Sequence, residues 1–197
     1  MKIAIIDYGA GNIQSIKFAI KRLGYDAVLT DDAAEIKAAD KVIFPGVGEA
    51  SSAMKMLKST GLDTVIPKLT QPVLGICLGM QLMCEYCEEG DTTGLSIFDA
   101  KVVRFDNSVK VPQIGWNQIY DLQSDLFEGV NEKEYVYLVH SFYVKECEET
   151  ICSTEYGVEY TSAIKKNNFY GVQFHPEKSS KAGEKILENF LKLELPS

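Results

Sequence analysis

The stretch Pro72-Val73-Leu74-Gly75-Ile76-Cys77-Leu78-Gly79-Met80-Gln81 decides the fold. Pro72–Ile76 is a short apolar run that suits a buried strand, and a helical pattern over Leu78–Tyr86 begins directly after it. One residue, Cys77, is left for the bend. So tight a turn forces unusual backbone angles on its central residue. The residues two positions away on either side are Gly75 and Gly79, which carry no side chain to strike the adjoining backbone. Gly-x-Cys-x-Gly is the thiol counterpart of a serine nucleophile elbow. A sulfur placed there sits at a helix N-terminus, where the dipole favours negative charge. The free N–H of Leu78 is expected to point to where an oxyanion would form. A lone cysteine is more often a small buried apolar residue; the paired glycines after a buried strand tip the balance toward the nucleophile.

The same strand–helix alternation extends toward the N-terminus. Lys2–Asp7, Tyr25–Leu29 and Lys41–Phe44 have strand character. Between the first two, Ile13, Ile16, Phe18, Ala19, Ile20 and Leu23 recur near helical spacing, and Gly24 is a good stop. A further helix is expected over Ala50–Lys58. Short apolar strands separated by helices predict a parallel sheet covered on both faces, with right-handed crossovers.

Beyond Lys101 the pattern changes. Lys101–Phe105, Trp116–Tyr120, Tyr135–His140, Phe142–Lys145, Ile151–Glu155, Val158–Ile164 and Phe169–Phe174 follow one another as strands, with turns at Gly157 and Lys166–Asn168, which predicts antiparallel pairing. Ala182–Leu193 is an amphipathic helix. With no internal repeat or linker, the expectation is one α/β domain over residues 1–197: a mostly parallel central sheet flanked by helices, with antiparallel strands in the second half.

A net charge of −8 argues against a nucleic-acid partner. Five cysteines, an odd number, argue against a disulfide framework. No apolar run approaches the ~20 residues that span a bilayer, and the N-terminal run ends at Asp7 like a strand and not like a signal peptide. A cytoplasmic protein is expected.

A cysteine nucleophile needs a base, and the chain has two histidines, His140 and His175. His175 follows a predicted strand in Gln173-Phe174-His175-Pro176-Glu177. Pro176 stiffens the link to Glu177, whose carboxylate can fix the imidazole tautomer. His-Pro-Glu alone also makes an ordinary turn. His140 is expected to be structural.

Gly-x-Cys-x-Gly-Met-Gln followed by Gln-Phe-His-Pro-Glu resembles the class I (triad) glutamine amidotransferases over essentially the whole chain. The resemblance implies that Cys77, His175 and Glu177 form a catalytic triad that releases ammonia from glutamine through a glutamyl thioester. It implies that Pro45-Gly46-Val47-Gly48 is an oxyanion strand, where Val47 would join Leu78 as donor after a peptide flip that the flanking glycines permit. Gly46, Gln81, Glu89 and the backbone of Ser141 and Phe142 become pocket candidates; Glu89 fits equally a solvated acidic patch with Glu85, Glu88 and Asp91.

Pro112-Gln113-Ile114-Gly115-Trp116-Asn117, Asp7–Asn12 and Tyr137–Phe142 resemble one branch of that family. Its members serve histidine biosynthesis as glutaminase subunits beside a separate (β/α)₈ cyclase, to which they pass ammonia within a heterodimer. Gln113-Ile114 and Ser141-Phe142 depart from that branch's usual residues. The resemblance places Asn12, Trp116 and Tyr137 at the partner interface. Trp116 fits core packing as well, and of Tyr135 and Tyr137 at least one is expected to face the core. Rival readings are a glutaminase serving the anthranilate, aminodeoxychorismate or pyridoxal phosphate synthases, a non-enzymatic binding module, and another cysteine hydrolase on the same sheet.

Two motifs are set aside. Cys84-x-x-Cys87 lacks a second ligand cluster, so no metal is expected, and both cysteines are placed on the helix after the elbow. Gly9-Ala10-Gly11-Asn12-Ile13-Gln14 lacks the third glycine of a dinucleotide loop, so no cofactor is expected.

Overall fold

The computed structural model describes residues 1–9 and 13–194. Strand β1 (Ile3–Ile6) is buried throughout, and its side chains alternate between two cores: Ile3 and Ile5 enter one, Ala4 and Ile6 the other. This is the period of two expected of a strand with both faces covered. Helix α1 (Ile13–Arg22) buries Ile16, Ala19 and Ile20 at helical spacing, and Gly24 stops it at φ +89°. Strand β2 (Ala27–Thr30) leads to α2 (Ala33–Lys37), which the sequence reading did not foresee. The Asp32 side chain caps α2 by accepting from the N–H groups of Ala34 and Glu35. Strand β3 (Lys41–Phe44), helices α3 (Ala50–Thr60) and α4 (Leu62–Val65), strand β4 (Val73–Ile76) and helix α5 (Leu78–Leu82) complete the first half.

Helix α5 is shorter than expected. Its last turn gives way at Met83, and Cys84–Cys87 forms strand β5, so both cysteines lie on a strand and not on a helix. The remaining strands are β6 (Thr92–Thr93), β7 (Phe98–Arg104), β8 (Gln113–Gln118), β9 (Tyr135–His140), β10 (Phe142–Val144), β11 (Thr150–Glu155), β12 (Glu159–Lys166) and β13 (Phe169–Val172); α6 (Ser180–Lys192) follows them.

Among the described residues the main sheet has eleven strands, in the order β2-β1-β3-β4-β13-β12-β10-β7-β5-β6, with β11 on the side of β12. Strands β2, β1, β3, β4 and β13 run parallel. Antiparallel pairing joins β13, β12, β10 and β7, as expected of the second half, yet β13 itself pairs parallel with β4, and β7 parallel with β5. Strands β8 and β9 form a separate antiparallel ribbon.

The register positions the site. Gly75 lies between Phe44 and Gly171, and Ile76 opposite Val172. The chains leaving β3, β4 and β13 at their C-terminal ends are therefore neighbours, the usual place for chemistry in an open α/β sheet. The N–H of Cys77 donates to Val172 O at 2.8 Å, which extends the ladder one residue beyond β4.

Candidate active site

Cys77 stands at the elbow with φ 53° and ψ −111°, a backbone conformation that costs a non-glycine residue about 1–3 kcal/mol. The surroundings leave it no alternative. A Cβ on Gly79 would lie 1.9 Å from Phe44 O, and one on Gly75 would lie 2.8 Å from Met80 N. Helix α5 thus rests directly on the backbone ends of β3 and β4, and the close approach holds the bend.

The sulfur faces a cavity of about 310 Å³. Its walls are Val47, Gly48, Cys77, Leu78, Gln81, Glu89, Pro112, Val139, His140, Ser141, Phe142 and His175. Gly46, expected on this wall, lies behind it, where a Cβ would meet Tyr8 Oη at 2.6 Å and Gly79 N at 2.8 Å. A larger groove of about 610 Å³ beside α6 is lined by side chains of both charges, among them Asp125, Lys185 and Glu194, and by no cysteine, serine or histidine.

His175 follows β13 by three residues and is buried. Its Nδ1 lies 2.8 Å from Glu177 Oε1, and the Glu177 side chain is also buried. Pro176 opens a single 3₁₀ turn over Pro176–Lys178 that folds Glu177 back onto the ring. The imidazole Nε2 has no hydrogen-bond partner among the described residues; the thiol of Cys77 points instead at Val139 O, 3.8 Å away. Burial works against protonating His175, but Cys77 and Glu177 outweigh it and push the imidazole up to about 10. His140 goes the other way. Burial is the main cause, helped by the charge of His175, and pushes it down to about 4 against the opposing bond to Phe142 O. Its Nδ1 lies 2.7 Å from Phe142 O, a backbone carbonyl, and donates to it.

Leu78 departs from expectation. Its N–H is not free: it donates to Gly46 O at 3.3 Å. The Gly46 carbonyl thus takes up the backbone N–H that the elbow was expected to leave free. Val47 is partly exposed on the cavity wall, and Gly48 has φ +107°. Tyr8 Oη donates to Pro45 O at 2.8 Å, which ties the start of this segment to β1; nothing in the sequence marked Tyr8 for that task.

Gln81 stands one turn beyond Cys77, its N–H bonded to Cys77 O at 3.2 Å. Its side-chain Nε2 donates to Phe142 O at 2.9 Å and to Gln173 Oε1 at 2.8 Å. Both amide protons are spent, so Gln81 offers the cavity its carbonyl oxygen, an acceptor. Glu89 leaves the acidic patch to reach the cavity, where Oε2 accepts from Ala50 N at 2.9 Å; burial pushes its carboxyl up. Ser141 and Phe142 also lie on the wall.

On the β8–β9 ribbon Trp116 pairs with Tyr137 across the strands, their rings 6.0 Å apart. Trp116 is 52% exposed, so it is not core. Tyr135 is also exposed and Tyr137 half-buried, whereas Val136, Leu138 and His140 point inward. Neither tyrosine faces the core, because residues two apart on a strand share one face. Asn12, expected beside them, lies outside the described residues.

Ser179 carries no signal in the sequence, yet it is fully buried and central. Its hydroxyl donates to His175 O at 2.6 Å and accepts from Tyr137 N at 2.9 Å. No group of residues able to hold a metal occurs among the described residues, and no helix is long and apolar enough to cross a membrane.

Comparison with known proteins places the chain in a family. The family model for class I glutamine amidotransferases matches residues 4–193. The imidazole glycerol phosphate synthase subunit HisH of Bacteroides thetaiotaomicron is 55% identical over 196 residues, covering 98% of this chain and 100% of that protein. The subunit of the same name from Haemophilus influenzae is 47% identical over 193 residues, covering 97% of each. A crystal structure of a glutamine amidotransferase from Thermotoga maritima superposes with a TM-score of 0.69 at 17% identity, covering 98% of this chain and 96% of that one. At that identity the likeness concerns the fold.

Proposed function

This chain belongs to the class I glutamine amidotransferase family, and from that premise we propose that it is the glutaminase subunit of an imidazole glycerol phosphate synthase. It is an enzyme that hydrolyses glutamine. The span 1–197 is taken as one amidotransferase domain, which the match over residues 4–193 supports. The carrying observation is the single cavity into which Cys77 and His175 both open, with Glu177 bonded behind the imidazole at 2.8 Å.

Cys77 Sγ attacks the carboxamide carbon of glutamine, and its proton resides on His175. The C–N bond breaks as His175 returns that proton to the departing nitrogen, which leaves as ammonia. A glutamyl thioester remains on Cys77. His175 then takes a proton from water, the hydroxide attacks the thioester carbon, and glutamate leaves as the sulfur is restored. Glu177 keeps the ring in the tautomer that presents Nε2 to these transfers.

The pocket suits the amino-acid end of glutamine. The Gln81 carbonyl oxygen and the Glu89 carboxylate are acceptors for the α-ammonium, and the Ser141–Phe142 backbone lies on the same wall for the α-carboxylate. The oxyanion requires two donors. With the Gly46 carbonyl on Leu78 N–H, the hole is closed in this state. Rotation of the Gly46–Val47 peptide would remove that carbonyl and present Val47 N–H, so full activity requires a trigger. Docking of a (β/α)₈ cyclase subunit on the Trp116–Tyr137 face is the trigger we favour, with Asn12 as a further contact, and ammonia passes directly to that partner within the heterodimer.

The test is glutamate release from glutamine by this chain, alone and with a cyclase subunit holding its phosphorylated substrate, beside Cys77→Ala. Activity that appears with the loaded cyclase and vanishes in the variant supports the proposal. A rate indifferent to the cyclase would reassign the chain to another synthase.

A further inference from the structure

Gln173 is the residue of Gln-Phe-His-Pro-Glu to which the triad gives no task. It is fully buried, does not line the cavity, and its N–H extends the sheet by bonding to Ser162 O at 2.8 Å. A glutamine side chain with no access to water needs partners for an amide oxygen and an amide nitrogen. The oxygen accepts from Gln81 Nε2 at 2.8 Å, and the nitrogen donates to Cys77 Sγ at 3.6 Å.

The direction of this chain of bonds is fixed at its far end. Phe142 O is a backbone carbonyl and can only accept, so the group of Gln81 beside it, at 2.9 Å, is the NH₂. That same NH₂ faces Gln173, so Gln173 turns its oxygen toward Gln81 and its own NH₂ toward the sulfur. Cys77 Sγ thus receives an N–H donor from Gln173. A donor aimed at sulfur favours the anion over the thiol and restricts the side-chain rotamer.

Building on the glutaminase reading, we propose that Gln173 is a positioning residue for the nucleophile: its amide N–H restrains the Cys77 sulfur, favours the anion once the proton leaves, and couples the sulfur to Gln81 on the substrate wall. The elbow places the sulfur, His175 holds its proton, and Gln173 supplies an uncharged donor that takes no part in proton transfer. Gln173 does not face the cavity, so its bond to the sulfur bears on kcat, while its bond to Gln81 bears on KM.

The experiment compares Gln173→Leu and Gln173→Glu with the unaltered full chain. The first probe is iodoacetamide alkylation of Cys77, followed by mass spectrometry from pH 5 to 9, with Cys77→Ala as background. The second is glutaminase kinetics in the complex with the cyclase. Gln173→Leu removes the donor but also strands a Gln81 N–H, so it alone risks misfolding. Gln173→Glu keeps an acceptor for Gln81 and faces the sulfur with a carboxylate. In both variants the alkylation curve is expected to move to higher pH and the rate at pH 7 to fall about tenfold, more in Gln173→Glu, with kcat falling in step; in Gln173→Glu, which keeps the acceptor for Gln81, KM changes less than about threefold. An unmoved alkylation curve in folded Gln173→Glu overturns the proposal, whatever happens to turnover. Activity surviving in Cys77→Ala would instead overturn the glutaminase reading and leave the alkylation result to be judged separately.

Discussion

The backbone N–H of His175 donates to the carbonyl of Tyr137 at 2.9 Å, so His175 is suspended from the ribbon whose outer face bears Trp116. Ser179 closes the arrangement, with its hydroxyl between His175 O and Tyr137 N. Ser179→Ala removes both bonds and leaves a buried Tyr137 N–H without a partner. A stability loss of about 1–3 kcal/mol is expected, read in denaturant unfolding. A fall of about tenfold in kcat with little change in KM should accompany it, because the ring loses its register with Cys77 and the pocket does not. Unaltered turnover in a folded variant would show that the suspension has no bearing on catalysis.

The two histidines make the electrostatics of the cavity directly readable by NMR. In the resting protein His175 is expected to remain protonated through neutral pH and to lose its proton near 10, while His140 remains neutral until the pH falls to about 4. Because the folded-state value of His175 lies above its ordinary one of 6.5, its charge stabilises the fold below about 6.5, and that stability is lost as pH rises through about 10. Glutaminase activity should fall over the same upper range, as the imidazolium that protonates departing ammonia disappears. In Cys77→Ala one of the groups opposing burial is gone, so the His175 midpoint moves down. A midpoint that stays put would separate His175 from the sulfur.

Helix α5 tolerates nothing larger than glycine at Gly79, where a methyl group would sit 1.9 Å from Phe44 O. The obstacle is backbone on a buried strand and cannot swing aside as a side chain would. Gly79→Ala is expected to cost about 3 kcal/mol, at the upper end for overpacking, and to abolish turnover by displacing the elbow. Thermal unfolding and glutamate release check it. A stable, active variant would mean that α5 can lift off β3.

The elbow was legible in the sequence because its constraint is local: two glycines two residues from the bend record a close approach that any fold with this turn must make. The His175–Glu177 pair was legible for the same reason, spanning one stiff turn. Elements whose outcome depends on distant partners were not. Leu82, Met83, Cys84 and Cys87 continue a helical spacing, yet Cys84–Cys87 leaves the helix to pair with β6 and β7. Helix α2 did announce itself, through Asp32 followed three residues later by Glu35, a cap signature that its short length concealed. Ser179, Tyr8 and Gln173 act through contacts 42, 37 and 92 positions away in the chain, and no spacing rule reaches that far.

The cysteines offer a test of the same local-versus-distant distinction. Burial pushes Cys84 and Cys152 well up and carries Cys87 to about 11. A short iodoacetamide pulse on the native protein at pH 7.5 should therefore label Cys77 ahead of these three, as resolved by peptide mass spectrometry. Rapid labelling of Cys84 or Cys87 would mean that β5 opens, and would restore interest in the Cys-x-x-Cys spacing.

The ribbon's outer face presents Ile114 at 62%, Trp116 at 52% and Tyr135 at 54% exposure. Large apolar side chains clustered on one face mark an interaction surface. Trp116 stands against Tyr137, and the backbone of Tyr137 holds His175, so the face and the proton carrier are one cross-strand pair apart. Trp116→Ala should therefore do two separable things. Affinity for the cyclase subunit should fall about thirtyfold or more, the size of a central aromatic contact, as titration calorimetry would report. The stability of the isolated chain should hardly change, because the ring is half in water and fills no core. At cyclase concentrations high enough to restore the complex, any remaining loss of glutamate release measures what Trp116 contributes through Tyr137 to His175. Unchanged affinity would move the partner to another face. A large drop in unfolding temperature would mean that Trp116 serves the fold and not the interface.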